Sequence, residues 1–270
     1  MRSEHAGPDA VLFDMDGTLV DTEGLWWQAT VSVAASLGRP LGPEDLPYVL
    51  GRTVEDVAAH LLTPASSPRS APPPTPPPVA PPPVTPPPLT PPPLTPPPLT
   101  PPPLTPPPVT RPAWDMPLMA EATRQLTDAL LMTEVAGQLT DAFAGLIGQG
   151  VKVMPGASEL LAELAATAIP TALVSASPRT IVELVLPRLG HTFDLVIANE
   201  DTARGKPYPD PYLEAARRLG TTPSRCVAVE DSPTGVAAAT AAGCRVLVTS
   251  PEKGLPSLTH LITHAHPPKP

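Results

Sequence analysis

The hydrophobic rhythm of this chain changes several times along its length. Val11-Leu12-Phe13 is a short apolar run that ends on Asp14-Met15-Asp16-Gly17-Thr18. Such a run, closed by a breaker, predicts a buried strand at 10–13. Leu25, Trp26, Ala29, Val33 and Leu37 then recur at helical spacings, which predicts a helix over 22–37 with Thr22 as N-cap and Gly38 as stop. After a Pro/Gly-rich loop, Thr53 should cap a short helix over 54–62. Helical spacing resumes at 117 and runs to 147, as one long helix or as two broken near Gly137. From Pro155 onward helices and strands alternate. Helices over 156–168, 178–189 (with Pro178 at its start), 210–219 and 233–242 separate apolar strands at 171–174, 195–197, 226–229 and 245–248. A last helix over 255–262 precedes a loose tail, 264–270. Short apolar strands separated by helices predict an α/β fold, a doubly wound parallel sheet of five strands covered on both faces.

One stretch breaks every rhythm. Of the 46 prolines, 27 lie between residues 64 and 112. Seven pentapeptides of the form Pro-Pro-Pro-(Val/Leu)-(Thr/Ala) run from 76 to 110. In polyproline II a five-residue repeat rotates each apolar side chain by about 240° from the last, so no stripe forms to lie on a core. The tract is expected to be a solvated spacer, disordered or in polyproline II; the alternative is a ligand for a polyproline-binding partner at 72–110. The expected organisation is therefore an α/β core at 1–21 and 151–270, a small helical cap at 22–63 and 113–150, and the proline-rich insertion at 64–112 within that cap.

Composition narrows the classes of function. A formal net charge of −9 over 270 residues lacks the basic footprint of a nucleic-acid binder. Cys226 and Cys244 sit singly in apolar stretches, which suits a reducing compartment. The first residues carry no apolar signal segment, and no run approaches the ~18 apolar residues of a membrane helix. A cytoplasmic protein without membrane partners is expected. His60 and His191 read as surface residues with no role, and Trp26 and Trp27 as core more than pocket.

The chemistry gathers at the strand ends, where ligands of such sheets bind. Asp14 and Asp16 follow the first strand, Ser175 and Ser177 the second. Lys206 lies in the loop after the third, and Glu230 and Asp231 close the fourth. Taken singly, each has a bland reading: Asp-Gly as a turn, and Ser175, Ser177, Asp210, Asp231 or Ser232 as a helix cap. Together at one sheet edge they point to a site. Carboxylates offer hard oxygen ligands to Mg²⁺, while a hydroxyl and an ammonium can hold a phosphate. One aspartate can attack phosphorus and its neighbour can move protons.

The order Asp14-Met15-Asp16-Gly17-Thr18, Ser175, Lys206, Glu230-Asp231 resembles the haloacid dehalogenase-like hydrolase superfamily, in its helical-cap subgroup. The resemblance implies a Rossmann-like core and a Mg²⁺-dependent phosphatase acting on a small phosphomonoester. It implies Asp14 as nucleophile and metal ligand, and Asp16 as general acid/base with its backbone carbonyl on the metal. Thr18, Ser175, Ala176 and Lys206 would hold the phosphate, and Glu230 and Asp231 would complete the metal site. Glu23 and Arg52 on the cap would face the leaving group. Two alternatives stand beside it. A β-phosphoglucomutase-like sugar-phosphate mutase shares the core, but it usually carries His where this chain has Trp26 and Val where it has Thr18. A non-catalytic scaffold would work through the proline-rich tract.

Overall fold

The computed structural model describes residues 7–63 and 116–263. The proline-rich insertion and the tail at 264–270 lie outside the described residues. The described elements, in order, are β1 (Ala10–Phe13), β2 (Val20–Asp21), α1 (Glu23–Ser36), α2 (Val54–Leu62), α3 (Met116–Gln149), β3 (Lys152–Val153), α4 (Ala157–Ala165), β4 (Thr171–Val174), α5 (Arg179–Val185), β5 (Leu195–Ile197), α6 (Asp210–Arg218), β6 (Cys226–Glu230), α7 (Pro233–Ala242), β7 (Arg245–Val248) and α8 (Leu258–Thr263). Short 3₁₀ turns fill several connections. Among the described residues no helix is long and apolar enough to cross a membrane.

Five strands form a parallel sheet in the order β5-β4-β1-β6-β7, flanked by helices, which is the Rossmann-like arrangement expected. β1 sits at its centre, with Phe13 opposite Leu173 of β4 and Val229 of β6. Side chains alternate across the pleat. Val11 and Phe13 enter one apolar layer with Leu160, Leu161, Ile181 and Val182. Ala10 and Leu12 enter the other with Tyr212, Ala215, Ala216, Ala238 and Ala239. β4 and β6 follow the same rule, Leu173 with Val227 and Val229 on the first side, Ala172, Val174 and Ala228 on the second. Both faces are dry, which is why these strands read as unbroken apolar runs.

A second, two-residue ribbon pairs β2 with β3 antiparallel, Val20 opposite Val153 and Asp21 opposite Lys152. Sequence pattern gave no sign of it, because two residues carry no period. It ties the chain leaving β1 to the chain re-entering the α/β part. The helices between these strands are held by Trp26, which packs edge-on against Phe143 at 5.2 Å and donates from Nε1 to the Val49 carbonyl. Val57, Leu61, Val135, Leu139 and Ile147 complete that packing.

The chain divides into two units, 1–80 with 131–270, and 81–130. Of the second the structure describes the first part of α3, where Leu126 and Leu130 are exposed. The remaining elements belong to the first.

Several local expectations are corrected. Of the two forms its spacing allows, α3 takes the unbroken one, a single helix of 34 residues that runs through Gly137. A glycine costs a helix only about 1 kcal/mol, and fully buried Val135 and Leu139 on either side of it hold the helix in place. α4 starts one residue after Gly156 and ends at Ala165, and Pro178 precedes the first turn of α5 instead of starting it. The hydroxyl of Thr22 makes no capping bond, whereas Thr53 caps α2 as expected by accepting from Asp56 N. His60 is not a loose surface residue: it bonds buried Asp45 at 3.0 Å and stacks on Tyr48. His191 shares a 2.9 Å hydrogen bond with Thr171 Oγ1 and stands edge-on to Phe193.

Candidate active site

The alternation of β1 and β6 places the first acidic pair. Asp14 continues the phase of Ala10 and Leu12, and Glu230 that of Cys226 and Ala228, so both carboxylates turn toward the α6–α7 side. Lys206 lies between them. Its Nζ donates to Asp14 Oδ1 at 2.5 Å and to Glu230 Oε1 at 2.6 Å, with all three side chains buried. The same Glu230 oxygen accepts from the hydroxyl of Tyr212 on α6. The other, Oε2, accepts from Ser232 Oγ at 3.3 Å, and Ser232 also caps α7 by accepting from Gly235 N.

Asp16 has separate partners. Ser175 continues the phase of Leu173, on the face opposite Lys206. Its hydroxyl reaches Asp16 Oδ2 at 3.2 Å, and Ser177 Oγ reaches the same oxygen at 2.8 Å. Thr22 donates to Asp16 Oδ1 at 2.8 Å. Ser175 Oγ also accepts from Ser177 N at 2.9 Å, so the two serines form one unit. Thr18, fully buried, donates to Asp231 Oδ1 at 3.0 Å. Gly17 makes this approach possible: it has φ +80°, and a Cβ there would meet Asp231 Oδ2 at 2.2 Å.

The charges are crowded. Burial raises the Asp16 carboxyl above its ordinary range and the Asp14 charge adds to this, against the three hydroxyls that lower it. Burial and Asp14 likewise push Asp231 up to about 7. Glu230 is raised by burial and Asp14, with Lys206 pulling the other way. For Lys206 burial favours the neutral amine, but the two carboxylates outweigh it and the ammonium is held. Four acids thus share one buried cation.

Oxygen atoms of Asp14, Glu230 and Asp231 lie within 4.8 Å of one another. Crowded carboxylates with a deficit of positive charge are a hard-oxygen donor set that fits Mg²⁺. The Asp16 carboxylate stands outside this cluster, held by hydroxyls. Glu230 has both oxygens occupied by protein donors, so of the three it is the least free to ligate.

Above these groups is a cavity of about 110 Å³. Asp14, Asp16, Ala176, Ser177 and Lys206 line it from the sheet edge, and Glu23, Trp26, Arg52 and Phe143 from the helical segment. Trp26 is therefore both core and wall. Glu23 and Arg52 line the cavity side facing the sheet-edge groups. Thr18 and Ser175 do not line the cavity: their hydroxyls are turned to Asp231 and Asp16. Sequence reasoning missed Tyr212, which looks like one more apolar position of α6, and the joint role of Thr22 and Ser177 on Asp16. The Ser-Ala-Ser spacing carried a signal for the last, since residues two apart at a strand exit point the same way.

Gly235 is a further missed position. A Cβ there would lie 2.0 Å from both oxygens of Glu230. Glu230 is held on Lys206 and Tyr212 and cannot retreat freely. Gly235→Ala is expected to destabilise by about 1–3 kcal/mol, the scale of overpacking, and to loosen Lys206. Thermal melts and turnover of the variant check this; unchanged values of both would show that Glu230 retreats without consequence.

The haloacid dehalogenase-like hydrolase family matches residues 105–243, more than half of the chain, and the chain belongs to that family. Hexitol phosphatase B of Escherichia coli (strain K12) is 29% identical over 247 residues, 90% of this chain and 84% of that protein. The bifunctional riboflavin kinase/FMN phosphatase of Arabidopsis thaliana is 37% identical over 118 residues, 43% of this chain and 30% of that protein. The chain spans less than two thirds of the length of several curated relatives it matches. Among solved structures, CbbY from Rhodobacter sphaeroides in complex with phosphate superposes with a TM-score of 0.61 at 25% identity, covering 90% of this chain and 86% of that one.

Proposed function

We propose that this chain is a Mg²⁺-dependent phosphatase of small phosphorylated metabolites that works through an aspartyl phosphate on Asp14. The observation that carries this is the pairing of Asp14 with Lys206 at the floor of a cavity that Asp16 enters from the other side. Names of relatives support it: hexitol phosphatase and FMN phosphatase both describe removal of phosphate from small molecules.

Asp14 and Asp231, with Glu230 behind them, would hold Mg²⁺, which when bound offsets negative charge on the phosphoryl oxygens. The chain's own residues do the rest. An Asp14 carboxylate oxygen attacks phosphorus while the bond from phosphorus to the leaving oxygen breaks. Asp16, as the acid, gives that oxygen its proton. Asp16, now a carboxylate, takes a proton from water, whose oxygen attacks phosphorus, releasing orthophosphate and restoring Asp14. Lys206 directs its free N–H at the phosphoryl oxygens, with Ala176 and the serine turn beside it. The helical segment acts as a cap, with Glu23 and Arg52 meeting the leaving group. A mutase reading finds less support, since Trp26 is buried and its ring nitrogen is tied to the Val49 carbonyl. Buried free Cys226 and Cys244 accord with a cytoplasmic location.

The test is a panel of hexitol, sugar and flavin monophosphates with Mg²⁺ and then with EDTA. Release of orthophosphate with Mg²⁺ and its loss in EDTA are expected. Full activity in EDTA would overturn the metal dependence, conversion to an isomeric phosphate would favour the mutase, and no turnover of any member would favour a scaffold.

A further inference from the structure

We propose that Tyr212 is a positioning residue for catalysis, acting through Glu230 to fix the direction in which Lys206 meets the phosphoryl group; this rests on the phosphatase reading above. Tyr212 is fully buried in the layer formed by Ala10, Leu12, Ala215 and Ala216. Phenylalanine would fill that layer equally well. A buried hydroxyl needs a partner, and this one is placed on the acid that holds Lys206. The ring also stands 5.3 Å from Lys206 Nζ, within the range of a cation–π contact.

The consequence lies in the geometry of an ammonium, which has three N–H donors. One is on Asp14 and one on Glu230. With two directions set, the third is set too, and Lys206 is a wall of the cavity. That constraint holds only while Glu230 keeps its orientation. Ser232 steadies one of its oxygens through a long contact of 3.3 Å, and Tyr212 steadies the oxygen that Lys206 uses. Without the phenol, Glu230 can turn and the third N–H loses its fixed aim. An aim off by about 1 Å can cost a reaction as much as 10²-fold.

The experiment compares wild type with Tyr212→Phe, Glu230→Gln and the double variant. It reads kcat and KM on the preferred panel substrate, and the affinity for orthovanadate by calorimetry with Mg²⁺ present. Vanadate adopts the five-coordinate arrangement of the transferring group, so its binding reports transition-state aim without turnover. Tyr212→Phe is expected to keep its fold and KM, to lose about tenfold in kcat, and to weaken vanadate binding by a similar factor. The double variant is expected to be no worse than Glu230→Gln alone, because the two side chains act as one unit. Unchanged kcat and vanadate affinity in Tyr212→Phe, or additive losses in the double variant, would overturn the proposal. A wild type that binds vanadate about tenfold tighter than Tyr212→Phe yet hydrolyses nothing would sustain the role of Tyr212 and reject the phosphatase reading.

Discussion

Replacing Asp14 by Asn is expected to abolish measurable hydrolysis, a loss on the order of 10⁴-fold or more in kcat, the scale seen when a nucleophile is removed. The change is close to isosteric. The Asp14 backbone N–H still donates to the Val229 carbonyl, and an amide oxygen can still accept from Lys206. Fold and cavity therefore persist, while a neutral amide oxygen is too weak a nucleophile to attack phosphorus. A second effect has a definite sign. The Asp14 charge helps hold the Asp16 and Asp231 carboxyls high, so removing it should lower the pKa of both. Steady-state kinetics with circular dichroism as a control for folding check the result. Activity within tenfold of wild type would show that the attacking group is something else.

Lys206→Ala is expected to be the most destabilising single change at this site. It leaves Asp14 and Glu230 buried beside one another with no cation. Breaking a buried pair in this way costs about 3–5 kcal/mol, which for a domain of this size is a fall in Tm of roughly 10 °C. Turnover should vanish as well, because among the described residues Lys206 is the cation paired with Asp14. The pH dependence follows from the raised carboxyls. Asp231 goes from its usual 3.8 to about 7 in the fold, so between those values the folded state binds more protons than the unfolded state. Stability from this source is present at low pH and is lost as pH rises through about 7. Without Lys206 the neighbouring acids gain protons more readily still. The deficit of the variant relative to wild type should therefore be largest above pH 7 and shrink toward pH 5. Melting curves for both proteins across that range, with EDTA present, check the sign. A deficit that grows as pH falls would mean that Lys206 does not act as the counter-charge.

Much of the fold was legible because its sheet is buried on both faces. Strands at 10–13 and 226–229 are uninterrupted apolar runs and that at 171–174 is apolar after Thr171, as expected of parallel strands buried on both faces. The β2–β3 ribbon was not legible, since two residues show no alternation. Gly137 left one helix or two open, because glycine breaks helices only where packing does not hold them, and Val135 and Leu139 do hold this one.

The site divides in the same way. Charged groups at strand exits stood out against apolar surroundings, and Asp14, Asp16, Lys206, Glu230 and Asp231 were read from that contrast. Hydroxyl groups that orient them were not. Thr22 reads as a helix cap, because the side chains that cap helices are also those that bind carboxylates, and only the path of the chain decides between the two. Thr18 reads as a phosphate contact, and its hydroxyl bond to Asp231 carries no signal in the sequence. Tyr212 gave no signal at all: it falls in step with Ala215 and Ala216, and its hydroxyl gains meaning only when β6 brings Glu230 above it.

The central claim is that Asp14 carries the phosphoryl group during turnover. The direct measurement is acid quenching of a reaction at saturating substrate, followed by peptide mass spectrometry of residues around Asp14. One added phosphoryl group on Asp14, labile to base and absent from Asp14→Asn, is the expected result. A preparation that releases orthophosphate yet never labels Asp14 would contradict it and would require water to attack the substrate directly.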